Sequence, residues 1–284
     1  MLVTIGLPVY NCEKTVLNTI KSILAQTYEK WELIIVDDGS NDKSLEIINS
    51  IKDSRIRIYS DGKNKGLPYR LNQIAELAKG VYIARMDSDD IMHPERLEKQ
   101  VAFLLENSEV DVVGTNAYTI DENNNIVGER KRRSSIIDFH EVLAKGLFIH
   151  PTIMGKTQWF RNNRYSEKYV RAEDHEMWVR TFEQSNFSIM LESLLYYREP
   201  STVNLKNYRL SCKTDRMIFK EYGPNKIGGM ATYKLILKSK SKEILYWIVN
   251  SIGRGKLLLK TRNNTLSREE VENNHMLLKK ILEA

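Results

Sequence analysis

The chain contains few cysteines and no metal-binding histidine pattern. Its 284 residues include two cysteines, Cys12 and Cys212, which are far apart in the sequence. This small number excludes a disulfide framework and a cysteine-rich zinc site, and it is typical of proteins in a reducing compartment. The five histidines form neither an H-x-x-x-H nor an H-E-x-x-H pattern. Any metal site is therefore expected to consist mainly of carboxylates.

Long apolar runs and nucleotide-binding glycine motifs are absent as well. No stretch of about 18 apolar residues occurs, so the sequence predicts no membrane-spanning helix. Residues 1–6 lack the basic start of a signal peptide and begin a strand pattern, which predicts a cytoplasmic protein that can still contact a membrane. Neither G-x-G-x-x-G nor G-x-x-x-x-G-K-[ST] is present, and this excludes a classical dinucleotide site and a P-loop.

Positive charge is concentrated near the end of the chain. The net charge is +6, and residues 205–268 contain 15 Lys and Arg against 3 acidic residues. Such a region indicates a polyanionic partner, either nucleic acid or an anionic membrane surface. Because no recognised nucleic-acid motif accompanies the charge, nucleic acid is the weaker interpretation. Residues 233–260 mix aliphatic, aromatic and lysine side chains, which fits a helix in the membrane interface or, equally, an ordinary helical subdomain with solvated lysines.

Short apolar runs alternate with helix-period segments over the first half of the chain. The predicted strands are residues 3–9, 32–37, 56–59, 81–86 and 110–115, and the predicted helices are residues 13–26, 42–51, 67–79 and 94–106, with Pro94 in a first helical turn. Residues 121–125 predict a hairpin turn between strands 117–120 and 126–129. The alternation predicts an α/β fold with a Rossmann-like, mostly parallel sheet and helices on both faces.

Three domain segments follow from this pattern. Residues 1–115 are predicted to form a nucleotide-binding half, and residues 116–204 the second half of the same domain. Residues 205–284 are predicted to form a basic helical C-terminal extension.

Acidic residues gather where the predicted strands end. Asp38 follows the second strand, and Asp87, Asp89 and Asp90 follow the fourth. Ligands of such sheets bind beyond the carboxyl ends of the strands, so these acids are expected to converge on one crevice. Close carboxylates repel one another unless a cation offsets them, and their hard oxygen ligands suit Mg²⁺ or Mn²⁺. The alternative is a solvated turn with Asp90 near a helix cap.

A nucleotide in this crevice would need other contacts than a glycine loop. Asp38 would accept hydrogen bonds from base or ribose groups, and Tyr10 would offer an aromatic face. A metal on the Asp89 side would neutralise the diphosphate.

The second half offers further candidates, each with a structural alternative. Glu173 and Asp174 precede an amphipathic helical segment, where acids either cap the helix or provide a general base opposite the metal. His150 is either a core histidine or a substrate contact. Trp178 is expected to be a core anchor or a wall of the acceptor site. Glu13 would bind the nucleotide or a metal-linked water, or cap a helix.

At this point the motifs resemble family 2 glycosyltransferases of the GT-A fold. The resemblance covers roughly residues 1–200 and rests on an ordered set: Pro8-Val-Tyr-Asn11, Val36-Asp-Asp-Gly-Ser40, Asn64-Lys-Gly-Leu67, Ile83-Ala-Arg-Met-Asp-Ser-Asp-Asp90, Pro94-Glu-Arg-Leu97, His150-Pro-Thr152, Ala172-Glu-Asp174 and Tyr196-Tyr-Arg198. It implies an inverting enzyme that uses a nucleotide-diphosphate sugar and Mn²⁺ or Mg²⁺. The pocket motif matches members that use UDP, so the resemblance implies a UDP-linked donor.

The resemblance also implies roles for individual residues. Pro8, Tyr10 and Asp38 would line the nucleobase pocket, with Asn11 and Glu13 beside them. Asp87 would lie near the ribose, and Asp89 would ligate the metal with Asp90 at its edge. Asp174 would be the catalytic base, with Glu173 the second choice. Some members carry Arg where Leu71 stands, which leaves a phosphate contact by Arg70 open. The Gly-Gly-Tyr-Asp-like turn of the family is replaced here by Asn163-Arg-Tyr165-Ser-Glu, which leaves the acceptor open.

The predicted function is transfer of a hexose or N-acetylhexosamine to a saccharide or lipid-linked saccharide in polysaccharide biosynthesis. The enzyme would work in the cytoplasm, peripherally on the inner face of the membrane. One alternative is a sugar nucleotidyltransferase, but residues 6–11 lack the glycine-rich phosphate loop that this class favours. Another is a non-catalytic nucleotide-sugar-binding scaffold, which would tolerate loss of Asp89 or Asp174, although both are present.

Overall fold

The computed structural model describes residues 1–132, 138–200, 204–252 and 263–283. Its strands are β1 (Val3–Val9), β2 (Trp31–Asp37), β3 (Ile56–Ser60), β4 (Tyr82–Arg85), β5 (Ile91–Met92), β6 (Val112–Ile120), β7 (Ile126–Arg130), β8 (Met154–Lys156) and β9 (Phe187–Arg198). Its helices are α1 (Val16–Leu24), α2 (Ser44–Ser50), α3 (Leu67–Leu77), α4 (Arg96–Glu106), α5 (Phe139–Lys145), α6 (Thr157–Asn162), α7 (Glu173–Thr181), α8 (Leu205–Ile227), α9 (Gly229–Ser251) and α10 (Arg268–Glu283). Short 3₁₀ turns cover His150–Thr152 and Phe182–Gln184.

All nine of these strands belong to one sheet, in the order β3-β2-β1-β4-β8-β6-β9-β5, with β7 paired to β6. The first four strands in this order are parallel. In the second half, β8, β7 and β5 join their neighbours antiparallel, whereas β6 and β9 are parallel. Every residue of β1 and β2 is buried, as expected for parallel strands with helices on both faces. The predicted α/β fold is confirmed.

Two hydrophobic cores cover the two faces of the sheet. Alternate side chains of β1 pack with α1 and α4 on one face. On the other face, helices α3, α5, α6 and α7 pack together with parts of α8 and α9. Gly6 lets α3 approach β1 closely, because a Cβ there would lie 2.6 Å from Cγ2 of Ile74. This helical layer brings α7 beside the carboxyl ends of the parallel strands.

Some predicted boundaries differ from the structure. Helix α4 begins at Arg96, so Pro94 lies before the helix and not in its first turn; the Pro94 carbonyl instead accepts the backbone N–H of Thr27. The predicted strands 110–115 and 117–120 are one strand, β6, and the boundary between residues 115 and 116 falls inside it. The predicted hairpin turn is confirmed, because Asp121 Oδ1 accepts backbone N–H groups within the turn.

The C-terminal helices are packed onto the domain. α8 and α9 meet at Gly228, whose φ of 82° suits glycine. α10 returns to the other end of the chain, where Leu278 and Ile281 are buried beneath β5, β6 and β9. None of the described helices is long and apolar enough to cross a membrane. The basic segment of residues 253–260 lies outside the described residues.

Candidate active site

A cavity of about 1120 Å³ lies beyond the carboxyl end of β4. Four of the predicted site residues line it, namely Asp87, His150, Glu173 and Asp174. Basic side chains line it too, among them Lys65, Arg85, Arg132 and Arg171. Acids from both halves of the chain therefore share one cavity with several cations, which is a suitable environment for a phosphorylated sugar donor.

The acidic loop after β4 reaches the cavity through Asp87, whereas Asp89 and Asp90 do not line it. Carboxylate oxygens of Asp87, Asp89 and Asp90 can all lie within 4.8 Å of one another. Arg85 forms a bidentate ion pair with Asp87, with N–O distances of 2.6 and 2.5 Å. Asp89 is exposed, yet desolvation and then the neighbouring Asp87 raise its pKa to about 6.

Asp90 is the buried member of this loop. Its Oδ1 accepts the backbone N–H of Arg198 at 2.7 Å, whereas its Oδ2 has no hydrogen-bond partner among the described residues. Burial, and then the charges of Asp89 and Asp87, raise the pKa of Asp90 well above its usual value. A buried carboxylate oxygen without a donor costs free energy. Three carboxylates with such an oxygen among them fit Mg²⁺ or Mn²⁺, which prefer oxygen ligands.

Neighbouring elements fix the position of the acidic loop. The Arg198 guanidinium at the end of β9 donates to the carbonyl oxygens of Asp89 and Asp121. From α1 and the residue before it, Thr19 and Thr15 donate their hydroxyls to carbonyls of the loop. The loop is thus held largely through its backbone carbonyls, and Oδ2 of Asp90 stays without a donor among the described residues.

The opposite wall is the start of α7. Glu173 and Asp174 form its first turn instead of preceding it, and a ring nitrogen of His150 lies within 4.8 Å of both carboxylates. Burial, and then Asp174, raise the pKa of Glu173 to about 7. Burial also raises the pKa of Asp174, although His175 and Arg85 oppose it. Carboxylates with raised pKa values in a cavity are candidates for general-base chemistry.

His150 is held as a neutral ring. Burial, and then the charge of Arg85, lower its pKa well below the usual value. Its Nε2 shares a hydrogen bond of 2.9 Å with the hydroxyl of Tyr165. A neutral imidazole beside two carboxylates can contact a sugar hydroxyl without adding charge.

Arg85 was missed by the sequence analysis as a site residue. It is 4% exposed at the end of β4, and it lowers the pKa of carboxyl groups on both walls, including Asp89 and Asp174. Arg96, itself buried, donates to the Arg85 carbonyl at 2.9 Å. The available signal was a cation inside a strand that is otherwise apolar, because a buried arginine is rare without an anionic partner.

The predicted nucleobase contact, Asp38, is buried and already bonded. Its carboxylate accepts the backbone N–H groups of Lys65 and Gly66, at 2.7 and 3.0 Å, and Nε of Arg70 at 2.7 Å. Arg70 is 1% exposed and also pairs with Asp61. Asp38 thus anchors the loop before α3, and the guanidinium of Arg70 is directed at these acids and does not line the cavity.

The remaining candidates of the first half do not line this cavity. Pro8 is buried in β1 and Tyr10 is 45% exposed just after it. Asn11 has a left-handed φ of 52° and accepts the backbone N–H of Asn41. Glu13 accepts the backbone N–H of Lys43, the N-cap residue of α2. Glu13 therefore has the capping role that was its alternative, on α2 instead of its own helix.

Trp178 is a core residue behind the site. It is 0% exposed and packs edge-to-face on Phe148 and Phe187, with ring centroids 4.9 and 5.6 Å apart. It also stacks on Trp159 at 6.0 Å and lies 6.4 Å from the His150 ring. Of its two predicted roles, this position matches the core anchor.

Comparison with known proteins identifies relatives for both sequence and fold. EpsE of Bacillus subtilis (strain 168) is 38% identical over 202 residues, 68% of this chain and 71% of EpsE. An Escherichia coli protein named UDP-Glc:alpha-D-GlcNAc-diphosphoundecaprenol beta-1,3-glucosyltransferase WfgD is 33% identical over 188 residues, 66% of this chain and 72% of WfgD. The solved structure of the mannosyltransferase PcManGT from Pyrobaculum calidifontis, in complex with GDP-Man and Mn²⁺, has a TM-score of 0.61 at 15% identity, covering 99% of this chain and 83% of that one.

The structural likeness at 15% identity shows the fold alone. The family model named Glycosyl transferase family 2 matches residues 4–170, more than half of the chain. The chain therefore belongs to glycosyl transferase family 2 and has the GT-A fold that its motifs predicted.

Proposed function

We propose that this protein is an inverting glycosyltransferase that moves a hexose or N-acetylhexosamine from a nucleotide-diphosphate sugar to a saccharide acceptor. The observation that carries the proposal is one cavity lined by Asp87 of the acidic loop on one wall and by a carboxylate pair of raised pKa on the other. The first wall suits a metal-bound diphosphate. The second suits removal of a proton from an acceptor hydroxyl.

The chemistry is a single displacement. Asp174 accepts the proton of the acceptor hydroxyl while the acceptor oxygen forms a bond to the anomeric carbon. The bond from this carbon to the diphosphate oxygen breaks, and the nucleoside diphosphate leaves with that electron pair. Because the acceptor attacks opposite the leaving group, the anomeric configuration inverts. General-base help of this kind contributes about 10²–10⁴-fold, and alignment of donor and acceptor supplies much of the rest.

Other residues of the chain hold the reactants. Arg85 fixes Asp87 beside the donor and limits the pKa of Asp174. Asp89 would hold a divalent cation together with Asp87 and Asp90. That cation would act as a Lewis acid on the departing diphosphate. Support for Mn²⁺ is its presence in the PcManGT complex, as well as the buried Asp90 oxygen without a donor.

The donor and acceptor are proposed by analogy with relatives. The name of WfgD specifies UDP-Glc and a lipid diphosphate acceptor, and we propose a UDP-linked donor and a lipid-linked saccharide in polysaccharide biosynthesis for this chain. Such an acceptor would place the enzyme peripherally at the cytoplasmic face of a membrane. PcManGT was solved with GDP-Man, so a GDP-linked donor is the direct competitor.

The donor is tested by calorimetry with UDP-, GDP- and dTDP-linked sugars, in Mn²⁺ and then in EDTA. We expect one UDP-sugar to bind, and to bind only with the metal. Binding of a GDP-sugar alone would replace the proposed nucleotide. Absence of binding to every donor, with the protein folded, would favour a scaffold over an enzyme.

The base is tested with Asp174→Asn and its matched control, Glu173→Gln. We expect Asp174→Asn to keep nucleotide binding but to lower transfer by about 10²–10⁴-fold, whereas Glu173→Gln has a smaller effect. The reverse order of the two losses would make Glu173 the base. Near-normal turnover of both variants would remove the general-base proposal.

A further inference from the structure

Helix α9 presents an apolar face away from the protein body. Six side chains share it, with exposed fractions from 44% to 72%: Met230, Tyr233, Leu237, Ile244, Ile248 and Ile252, the residue that follows the helix. These positions fall on one side of a helix with 3.6 residues per turn. The opposite side carries the buried residues Thr232, Leu235 and Ser239, and Leu235 belongs to the core shared with α8. The exposed face is therefore not part of the core.

Lysines accompany this face, and acids do not. Lys234, Lys238, Lys240 and Lys242 lie on the same helix, and none of them forms an ion pair with another described residue. The helix has one acid, Glu243, which is turned inward and pairs with Arg209 and Arg216 of α8 at 3.0 and 2.9 Å. The outward surface of α9 thus combines apolar side chains with positive charge alone.

This charge pattern favours one of two possible binding partners for the exposed face of α9. A second copy of the chain would bring the lysines of one α9 against those of the other, and like charges at close range repel. Anionic lipid head groups complement the lysines, whose long stems can reach them while the apolar side chains enter the acyl boundary. The 23-residue helix is about 35 Å long, so it can lie along a bilayer surface.

We propose that α9 docks the protein onto an anionic lipid bilayer through this face. The helix lies parallel to the surface, with Ile244 and Ile248 directed into the bilayer and Lys234, Lys238 and Lys240 at the head groups, whereas Lys242 falls on the side of the buried Leu235. The inference rests on the surface of α9 and does not require the proposed transfer reaction. A negative result for membrane docking therefore does not contradict the proposed transfer reaction, and the reverse also holds.

The test is co-sedimentation of the full chain with vesicles, without donor or acceptor. We expect binding to vesicles containing phosphatidylglycerol, weaker binding at high salt, and little binding to pure phosphatidylcholine. The double variant Ile244→Glu with Ile248→Glu should lower the partition coefficient at least about tenfold, since it removes apolar burial and adds repulsion. Both side chains are largely exposed, so we expect the fold to be kept, as thermal melting checks.

A matched control introduces the same charge elsewhere. Val127 and Leu191 are 50% and 58% exposed and lie on β7 and β9, so Val127→Glu with Leu191→Glu should leave vesicle binding unchanged. Replacing Lys234, Lys238 and Lys240 by Gln should weaken binding to anionic vesicles by about fivefold per lysine.

Three results would overturn the proposal. The first is absence of wild-type binding to anionic vesicles. The second is an equal loss of binding in the control variant, which would show that net charge and not the α9 face decides. The third is a lipid-independent dimer in sedimentation velocity that Ile244→Glu with Ile248→Glu dissociates, because the face would then be an interface between copies.

Discussion

Replacing Arg85 by Met should change both the stability of the protein and the pH dependence of transfer. Arg85 is 4% exposed and forms the bidentate ion pair with Asp87. Removing one partner of a buried ion pair costs about 3–5 kcal/mol. The Asp87 side chain is 29% exposed and can be partly resolvated, so we expect a smaller loss, about 2 kcal/mol.

The second effect follows from the charge of Arg85. This charge lowers the pKa of Asp174, which burial raises. Without it the pKa of Asp174 rises further, and Asp174 must be deprotonated to act as the proposed base. The acid limb of the pH profile of kcat/KM should therefore move to higher pH, on the order of one unit for a lost neighbouring cation. The limb is measured by initial rates over the acidic and neutral range, and stability by urea unfolding.

Arg85→Lys separates charge from geometry. This variant keeps the positive charge but cannot form the bidentate contact with Asp87. We therefore expect it to lose stability, while the acid limb of its kcat/KM profile stays near that of the wild type. An unshifted limb in Arg85→Met would refute the electrostatic role of Arg85. An equal shift in both variants would show that the geometry of the loop, and not the charge, is the cause.

Three further predictions concern the two walls and the core. Asp89→Ala should abolish the difference between nucleotide titrations in Mn²⁺ and in EDTA, and a persistent difference would rule out Asp89 as the principal metal ligand. Trp178→Ala should lower the free energy of unfolding by about 3–5 kcal/mol, as for other buried aromatics; a urea midpoint near that of the wild type would contradict its anchoring role. Burial lowers the pKa of His175, but Asp215, together with Asp174 and the Val142 carbonyl, raises it above 6.5. The stability from these contacts is therefore present below 6.5 and is lost as pH rises through the raised pKa. Asp215→Asn should flatten this part of the stability curve, and an unchanged slope would exclude the pair as its source.

Much of the first half could be predicted from the sequence because its signals are local. A strand buried on both faces is a continuous apolar run. Strand β1 has the predicted bounds, β2 and β3 differ by one residue at one end, and β4 is one residue shorter at each end. The position of Asp87 at the cavity follows from the rule that ligands bind beyond the carboxyl ends of parallel strands. Glu173 and Asp174 reach the same cavity from the first turn of α7, which this rule does not cover. The prediction that Pro94 lies in the first turn of a helix was wrong, because α4 begins at Arg96 and the Pro94 carbonyl bonds to Thr27, which is distant in sequence.

The partners of the site residues could not be predicted, because they are set by contacts distant in sequence. Asp38 is occupied by backbone groups 27 and 28 residues away, and Glu13 caps a helix 30 residues away. The residue that holds Asp90 is 108 positions along the chain. Sequence pattern gives the residue types at a site, whereas their hydrogen bonds depend on the packed fold.

The last helix has a consequence for how the protein forms during synthesis. Leu278 and Ile281 of α10 complete the core around Ile91, Ile120 and Tyr196, and Lys21 of α1 donates to the carbonyl of Leu282. Domains fold as units while the chain is made from its N-terminus. The apolar cover that α10 adds to strand β5, which follows the acidic loop directly, is therefore completed only after residue 281 has been synthesised, whereas the packing of α1 on β5 can form earlier.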